Sequence, residues 1–274
     1  MVNWGVIGTG NMGSVLIDAW INNRVIAEEN LWIHNRTLSK AFDIKDQYYN
    51  INVCTTAEQV VKQSDIIFIC VKPLQVLPLL RQLENVLQKD QCIVSITSPV
   101  SIQDLENAVP CQVARIIPSI TNRAGVGVTL TTFSNSFDPS LKAYMIQSLK
   151  LFSTPIEIEE SITRVASDIV SCGPAFISYL LQSFLKAATS YTSLDESRGK
   201  ILMEQMIIGF GKLMEKGYFS LEELQQKVTV KGGVTGAGLQ VLEEELGDLF
   251  AHVIEATHDK YYEDKEGIKK QTST

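Results

Sequence analysis

Several residue types that would direct a reading are scarce in this 274-residue chain. Its three histidines and five cysteines (Cys54, Cys70, Cys92, Cys111 and Cys172) form no C-x-x-C pair and no Cys/His cluster at metal-ligand spacing. A metal site is therefore not expected. The cysteines are odd in number, scattered and mostly inside apolar runs, which suits buried thiols in a reducing cytosol rather than a disulfide framework. Basic charge is also short: 24 Lys and Arg stand against 31 Asp and Glu, a formal net charge of −7. That argues against a general nucleic-acid surface, which needs a basic face, but leaves room for a local basic pocket. No signal-peptide pattern precedes the first apolar stretch, and no apolar run reaches the roughly 20 residues of a membrane span. The expectation is a cytoplasmic protein with neither membrane nor nucleic-acid partner.

What remains is ordinary globular composition, 45% hydrophobic and 20% charged. The length allows one large or two medium domains. The informative stretch comes first. Asn3-Trp4-Gly5-Val6-Ile7 is a short apolar run that reads as a strand. Gly8, Gly10 and Gly13 follow in the spacing G-x-G-x-x-G, and Met12, Val15, Leu16, Ala19 and Trp20 recur at helical spacing. Strand, tight turn and helix is the setting in which this glycine spacing means dinucleotide binding. Gly8 permits the turn, Gly10 lets backbone approach a pyrophosphate, and Gly13 lets the helix pack closely. The anion then sits on unpaired N–H groups at the positive end of the helix dipole. Gly8, Thr9, Gly10, Asn11 and Met12 are the candidate cradle.

An NAD site usually carries an acid at the end of the second strand, to take the ribose 2′-hydroxyl. Here Leu31-Trp32-Ile33-His34 is followed by Asn35-Arg36-Thr37, with no acid. An arginine flanked by amide and hydroxyl suits a 2′-phosphate, so the expected cofactor is NADP. Val71-Lys72-Pro73 follows the apolar run Asp65–Val71 at its carboxyl end, where open α/β sheets bind ligands. These three residues join the candidate cofactor site.

The order of elements gives an α/β fold class. Strand and helix alternate through the first half, which predicts a Rossmann-type, doubly wound sheet with right-handed crossovers. Ser101 and Asp104 stand in a capping-box-like arrangement at one of its helices. Near residue 160 the pattern becomes helical: 161–170, 174–191, 195–216, 221–228, 234–245 and 246 to about 266. The expected domains are 1–159, which binds NADP, and 160–274, all-helical. Pro174 suits the first turn of its helix. Helices 174–191 and 195–216 carry apolar sets broad enough for a homodimer interface. The charged stretch from Asp259 to Thr274 is expected to fray.

GTGNMG, Asn35-Arg36, Val71-Lys72-Pro73, Arg115-Ile116-Ile117-Pro118, Ser171-Cys172-Gly173-Pro174-Ala175-Phe176 and Lys231-Gly232-Gly233-Val234-Thr235 occur in one order along nearly the whole chain. In that order and spacing they resemble pyrroline-5-carboxylate reductases. The resemblance implies NADPH-dependent reduction of the cyclic imine pyrroline-5-carboxylate to proline. It also implies an all-α C-terminal domain that builds the dimer and the substrate site. Three stretches depart from the family pattern. R-x-M-P-N-x-P becomes Arg115 to Thr121, S-G-S-G-P-A-Y becomes Val170 to Phe176, and S/T-P-G-G-T/A-T becomes Val230 to Thr235. Valines replace hydroxyls at Val170 and Val230, and Lys231 replaces a proline. The combination is similar to a divergent late-competence branch of the family.

The substrate turn implied by this resemblance is Val230, Lys231, Gly232, Gly233, Val234 and Thr235. Its N–H groups open a helix and suit a carboxylate. Thr235 is the family's threonine near the imine nitrogen. A threonine is a poor general acid, so its expected role is to orient or relay. Two functions compete: an NADP-dependent imine reductase acting on a small imino acid, and a regulatory homodimer that binds the dinucleotide with little turnover. A hydroxyacid dehydrogenase ranks third, because Lys186 on the 174–191 helix lacks glycine and asparagine partners at helical spacing.

Overall fold

The computed structural model describes residues 2–272. Met1, at the head of the first stretch, and Ser273 and Thr274, at the end of the expected tail, lie outside the described residues. The first half runs β1 (Trp4–Ile7), α1 (Asn11–Asn22), β2 (Leu31–His34), α2 (Ser39–Gln47), β3 (Asn52–Val53), α3 (Ala57–Gln63), β4 (Ile66–Ile69), α4 (Pro73–Leu83), β5 (Cys92–Ser95), α5 (Ile102–Ala108) and β6 (Gln112–Ile117). Then come β7 (Val128–Phe133), α6 (Pro139–Lys150) and β8 (Thr154–Glu157). The strands form one sheet in the order β3-β2-β1-β4-β5-β6-β7-β8. Strands β1 to β6 pair in parallel, β7 runs antiparallel to β6, and β8 parallel to β7. This is the α/β, Rossmann-type sheet that the alternating pattern predicts.

Every residue of β4 is buried, as a central parallel strand requires. Successive side chains go to opposite faces. Ile66 and Phe68 join Trp4, Leu16 and Trp20 in one core, while Ile67 and Ile69 join Val76, Leu77 and Leu80 in the other. Trp4 and Trp20 meet edge to face, with centroids 4.8 Å apart, and anchor α1 on β1. The strand order reverses about β1 and β4. The residues after those two strands therefore share the crevice where such sheets bind ligands.

Helix α6 has no counterpart in the sequence reading. Asp138 caps it by accepting from the Leu141 N–H at 2.7 Å, and Pro139 holds its first position. Its buried face is narrow (Met145, Ser148 and Leu149), so its apolar periodicity is weak.

In α4 Pro73 sits in the first turn, but Pro78 stands inside the helix. Proline has no N–H to give the carbonyl four residues back. That carbonyl belongs to Leu74, and it accepts instead from Gln271 Nε2 at 3.0 Å. Gln271 lies on α12 (Leu249–Thr272), so the charged stretch expected to fray is helical. Lys269 and Glu266 pair on its outer side, and Lys260 pairs with Glu263 and Asp264 beside the inner one. Its inner side buries Tyr261 and Ile268 and sets Gly267 so close to Leu74 that an added Cβ would lie 2.7 Å from Leu74 Cδ2. Two apolar residues seven apart are too few to stand out from the charges around them. Ile268→Ala is expected to cost about 2–5 kcal/mol in urea denaturation, as for other buried isoleucines. A change under about 0.5 kcal/mol would place α12 outside the core.

The chain divides into two compact units. One comprises residues 1–174 with 256–274, the other 175–255. After β8 the first unit carries α7 (Thr163–Ser167) and a wide π-helical turn at Asp168–Cys172. Helix α8 (Gly173–Tyr191) follows without a break, so Pro174 does not begin a separate helix. The widened turn just before Pro174 accommodates its missing N–H. The second unit holds the rest of α8, α9 (Glu196–Glu215), α10 (Leu221–Val228) and α11 (Val234–Leu246). Many of its apolar side chains are exposed, among them Phe184, Ile201, Leu202, Met206 and Phe210. Glu160–Tyr191 is one helix long and apolar enough, by length and composition alone, to cross a membrane, although charged residues such as Arg164 and Asp168 interrupt its apolar runs.

Candidate functional site

The turn after β1 supports the fingerprint atom by atom. Gly8 has φ +105°, and a Cβ there would collide with the Cys70 carbonyl oxygen. A Cβ on Gly13 would collide with the Gly8 carbonyl oxygen. Gly10 differs: a Cβ there meets nothing within 4 Å. Two of the glycines are thus needed by the fold, and the third faces open space. Gly10 is the N-cap of α1, with no side chain capping the helix and no acid in its first turn. The free N–H groups and the dipole are left for an anion.

Gly8 and Gly10 border a cleft of about 690 Å³. Of the sequence-predicted cofactor residues, Gly8, Gly10, Asn35, Arg36, Thr37, Val71 and Lys72 line it. Thr9, Asn11, Met12 and Pro73 do not. Thr9 is buried beneath the turn, and its hydroxyl has no hydrogen-bond partner among the described residues. Asn11 is exposed and Met12 half-buried in the first turn of α1, and Pro73 borders a neighbouring cavity. Asn35 ties the two loops together. Its Oδ1 accepts from the Thr9 N–H at 3.0 Å, and its Nδ2 donates to the Thr37 carbonyl at 2.9 Å.

Arg36 is exposed at the end of β2 and has no side-chain partner among the described residues. Lys40, one turn into α2, lines the same cleft and is equally unpaired. Nothing in the sequence separates Lys40 from a solvated helix lysine, and only the fold brings it beside Arg36. With Lys72, the lining carries three cations against one acid, Glu58. Glu58 is held below the usual carboxylate range by its own backbone N–H and by the Thr56 hydroxyl. On the cleft floor, burial pushes the Cys70 thiol up to about 12. That thiol stays neutral and is no nucleophile. An open glycine, an uncapped helix and unpaired cations fit a phosphorylated dinucleotide.

The substrate turn lies in the second unit. Gly232 has φ +76°, Gly233 is the N-cap of α11, and the helix begins at Val234, where the sequence reading starts it. Val230 is 67% exposed and Val234 90%, and Lys231 and Thr235 are exposed too. Thr235 thus stands in the first turn, among N–H groups that have no intrahelical partner.

Known proteins resemble the chain along its whole length. Residues 160–264 match the family model for pyrroline-5-carboxylate reductase dimerisation. Residues 3–99 match that for NADP oxidoreductase, coenzyme F420-dependent. Pyrroline-5-carboxylate reductase 3 of Bacillus subtilis is 30% identical over 269 residues, 98% of each chain. This chain belongs to the pyrroline-5-carboxylate reductase family. ComE operon protein 4 of Bacillus subtilis is 50% identical over 267 residues, 97% of this chain and 98% of the relative. In fold the family likeness extends to pyrroline carboxylate reductase of Plasmodium falciparum, solved with NADP bound. That structure has a TM-score of 0.83 at 23% identity and covers 97% of this chain and 98% of its own. NADP is the family's cofactor over residues 3–99, in agreement with the reading of Arg36. The dimerisation model spans the helices whose apolar faces are exposed in the single chain.

Proposed function

We propose that this protein binds NADPH in the cleft and reduces a cyclic imino acid, pyrroline-5-carboxylate or a close analogue, as a cytoplasmic homodimer. Residues 1–159 hold the cofactor, and residues 160–274 form the dimer and receive the small-molecule substrate. One observation carries the cofactor half: the absence of an acid after β2, with Arg36 and Lys40 unpaired beside the open Gly10. When bound, the dinucleotide supplies the hydride. Gly8 to Met12 cradle its pyrophosphate, Arg36 and Thr37 take the 2′-phosphate, and Val71 and Lys72 edge the cleft toward the reacting end, with Pro73 closing the turn beside it. The N–H groups of Gly232 to Thr235 hold the substrate carboxylate, with Val230 and Lys231 at the rim. The Thr235 hydroxyl orients the imine nitrogen.

A second reading has its own support. Val170 and Val230 stand where the family pattern has hydroxyls, and the 50% identical relative is named as a ComE operon protein. A site that loses hydrogen-bond partners loses discrimination for a polar substrate. On this reading the chain is a competence-associated paralogue that binds NADP(H) with little turnover.

An assay of NADPH oxidation against a panel of cyclic imines separates the two. Turnover that falls at least tenfold in Thr235→Val supports the reductase. Tight NADPH binding with no oxidation on any imine moves the assignment to the second reading. NADPH should bind about 10- to 100-fold more tightly than NADH, as expected for one or two charge-assisted phosphate contacts. Replacing Arg36 and Lys40 together by alanine should bring the two affinities within about threefold of each other. Equal affinities in the unmodified protein would remove the 2′-phosphate pocket.

A further inference from the structure

Helix α4 meets the dinucleotide cleft on one side and the end of α12 on another. Leu74, Gln75, Pro78, Leu79 and Gln82 line the cleft. Ile268 of α12 is buried in one core with Val76, Leu77 and Leu80, and Ile7, which lines the cleft, belongs to that core too. Leu74 takes part on both sides. Its side chain lines the cleft, and an added Cβ on Gly267 would lie 2.7 Å from its Cδ2. Its carbonyl accepts from Gln271 Nε2 at 3.0 Å. Arg81, two turns further along α4, donates from Nη2 to the Gln271 carbonyl. Side chain and backbone of Gln271 are thus both held by α4.

The first turn of an ordinary helix holds itself, because each carbonyl accepts from the N–H four residues on. In α4 that bond is missing at Pro78, and the N-cap, Lys72, makes no side-chain bond to replace it. The turn that walls the cleft is therefore completed by a donor on α12. A wall that must be ordered when the ligand arrives lowers affinity. With the end of α12 docked, the wall is ordered beforehand; with it lifted, ligand binding has to supply the ordering. Linkage makes the effect reciprocal: a ligand that binds the ordered wall better holds the end of α12 down by the same factor. We propose that the last turn of α12 is a strap on the cofactor cleft, so that dinucleotide binding and docking of residues 266–272 on α4 favour each other. This rests on the reading of the cleft as the dinucleotide site and is independent of what is reduced there.

The test joins hydrogen exchange to a mutant cycle on the full-length protein. Saturating NADPH should slow amide exchange in residues 266–272 about 5- to 20-fold beyond any slowing in α6. Helix α6 does not line the cleft, so it reports general stabilisation by the ligand. Gln271→Met keeps the bulk, removes the donor and should weaken NADPH about three- to tenfold, the worth of one hydrogen bond. Pro78→Ala restores an N–H at position 78. In that background Gln271→Met should weaken NADPH by less than about twofold, whereas a general defect in α12 would weaken both backgrounds alike. Exchange in 266–272 slowed no more than in α6 overturns the proposal. So does a Gln271→Met effect that is absent, or that survives in Pro78→Ala. If a variant does not fold, the exchange comparison on the unmodified protein decides alone. NADPH titration of that protein keeps the two readings apart: no binding removes the cofactor cleft, and binding without linkage removes the strap alone.

Discussion

Gly10→Asp is expected to leave the fold as stable as the unmodified protein while abolishing dinucleotide binding. Gly10 has φ −76° and ψ −163°, which any residue adopts, and an added side chain meets nothing within 4 Å. Aspartate is among the best N-cap residues and complements the helix dipole, so stability should hold or rise by up to about 1 kcal/mol. The same carboxylate occupies the N–H groups a pyrophosphate needs and repels it. NADPH affinity should fall at least about 100-fold, roughly 2.7 kcal/mol. Gly13→Ala, three residues on, should behave in the opposite way. Its methyl meets the Gly8 carbonyl oxygen, and the clash should cost about 3 kcal/mol or more in stability. Thermal melts with NADPH titrations on both variants decide the matter. A Gly10→Asp protein that still binds NADPH would refute the cleft as the cofactor site.

Arg115→Met should be among the most destabilising single changes in the chain. Arg115 on β6 is 1% exposed. Its Nη1 donates to the Ser98 and Val100 carbonyls at 3.3 and 3.2 Å and to Glu160 Oε2 at 3.0 Å. Its Nη2 donates to Thr163 Oγ1 at 2.6 Å and Thr132 Oγ1 at 3.4 Å. One side chain thus fixes the loop after β5, the start of α7 and the strand next door. Methionine fills the volume but takes the donor from two carbonyls and two hydroxyls, and the two stranded carbonyls alone cost about 1–3 kcal/mol each, some 3–5 kcal/mol together. In a unit of this size that is a drop of roughly 6–20 °C in melting temperature. Glu160→Gln should cost about 1 kcal/mol or less, because that carboxylate is 42% exposed and water can replace its partner. If both variants melt within about 2 °C of the parent, Arg115 does not brace the sheet edge.

What the sequence made legible was local. The glycine turn, the missing acid after β2 and the capping box at Ser101 and Asp104 each lie within a few residues. Their conformations follow from short-range sterics and hydrogen bonding. The structure bears out the Ser101 cap, with Asp104 Oδ2 2.9 Å from the Ser101 N–H. What stayed hidden depends on distant partners. Arg115 was visible as part of a motif, but Glu160 and Thr163, 45 and 48 residues away, were not visible as its partners. Lys40 resembles any exposed helix lysine until α2 sets it beside Arg36. Arg164 and Asp168 look like an i, i+4 surface pair, and only the fold buries them. Helix α6 was missed although Asp138-Pro139 is a start signal, because its narrow buried face leaves little periodicity to detect.

The bond between Gln271 and Leu74 also sets a clock on biosynthesis. The two residues are 197 positions apart. At about 5–20 residues per second, some 10–40 s pass between their synthesis. During that interval Pro78 leaves the Leu74 carbonyl without its helical donor, and the surface that will cover Ile268 stays open to water. The sheet can pair strand by strand as it emerges, but the helix that walls the dinucleotide cleft waits for α12. A nascent chain stalled in the helical region would therefore present an incomplete cofactor domain. Chaperone occupancy on such stalled chains should fall once residues 256–272 have been translated.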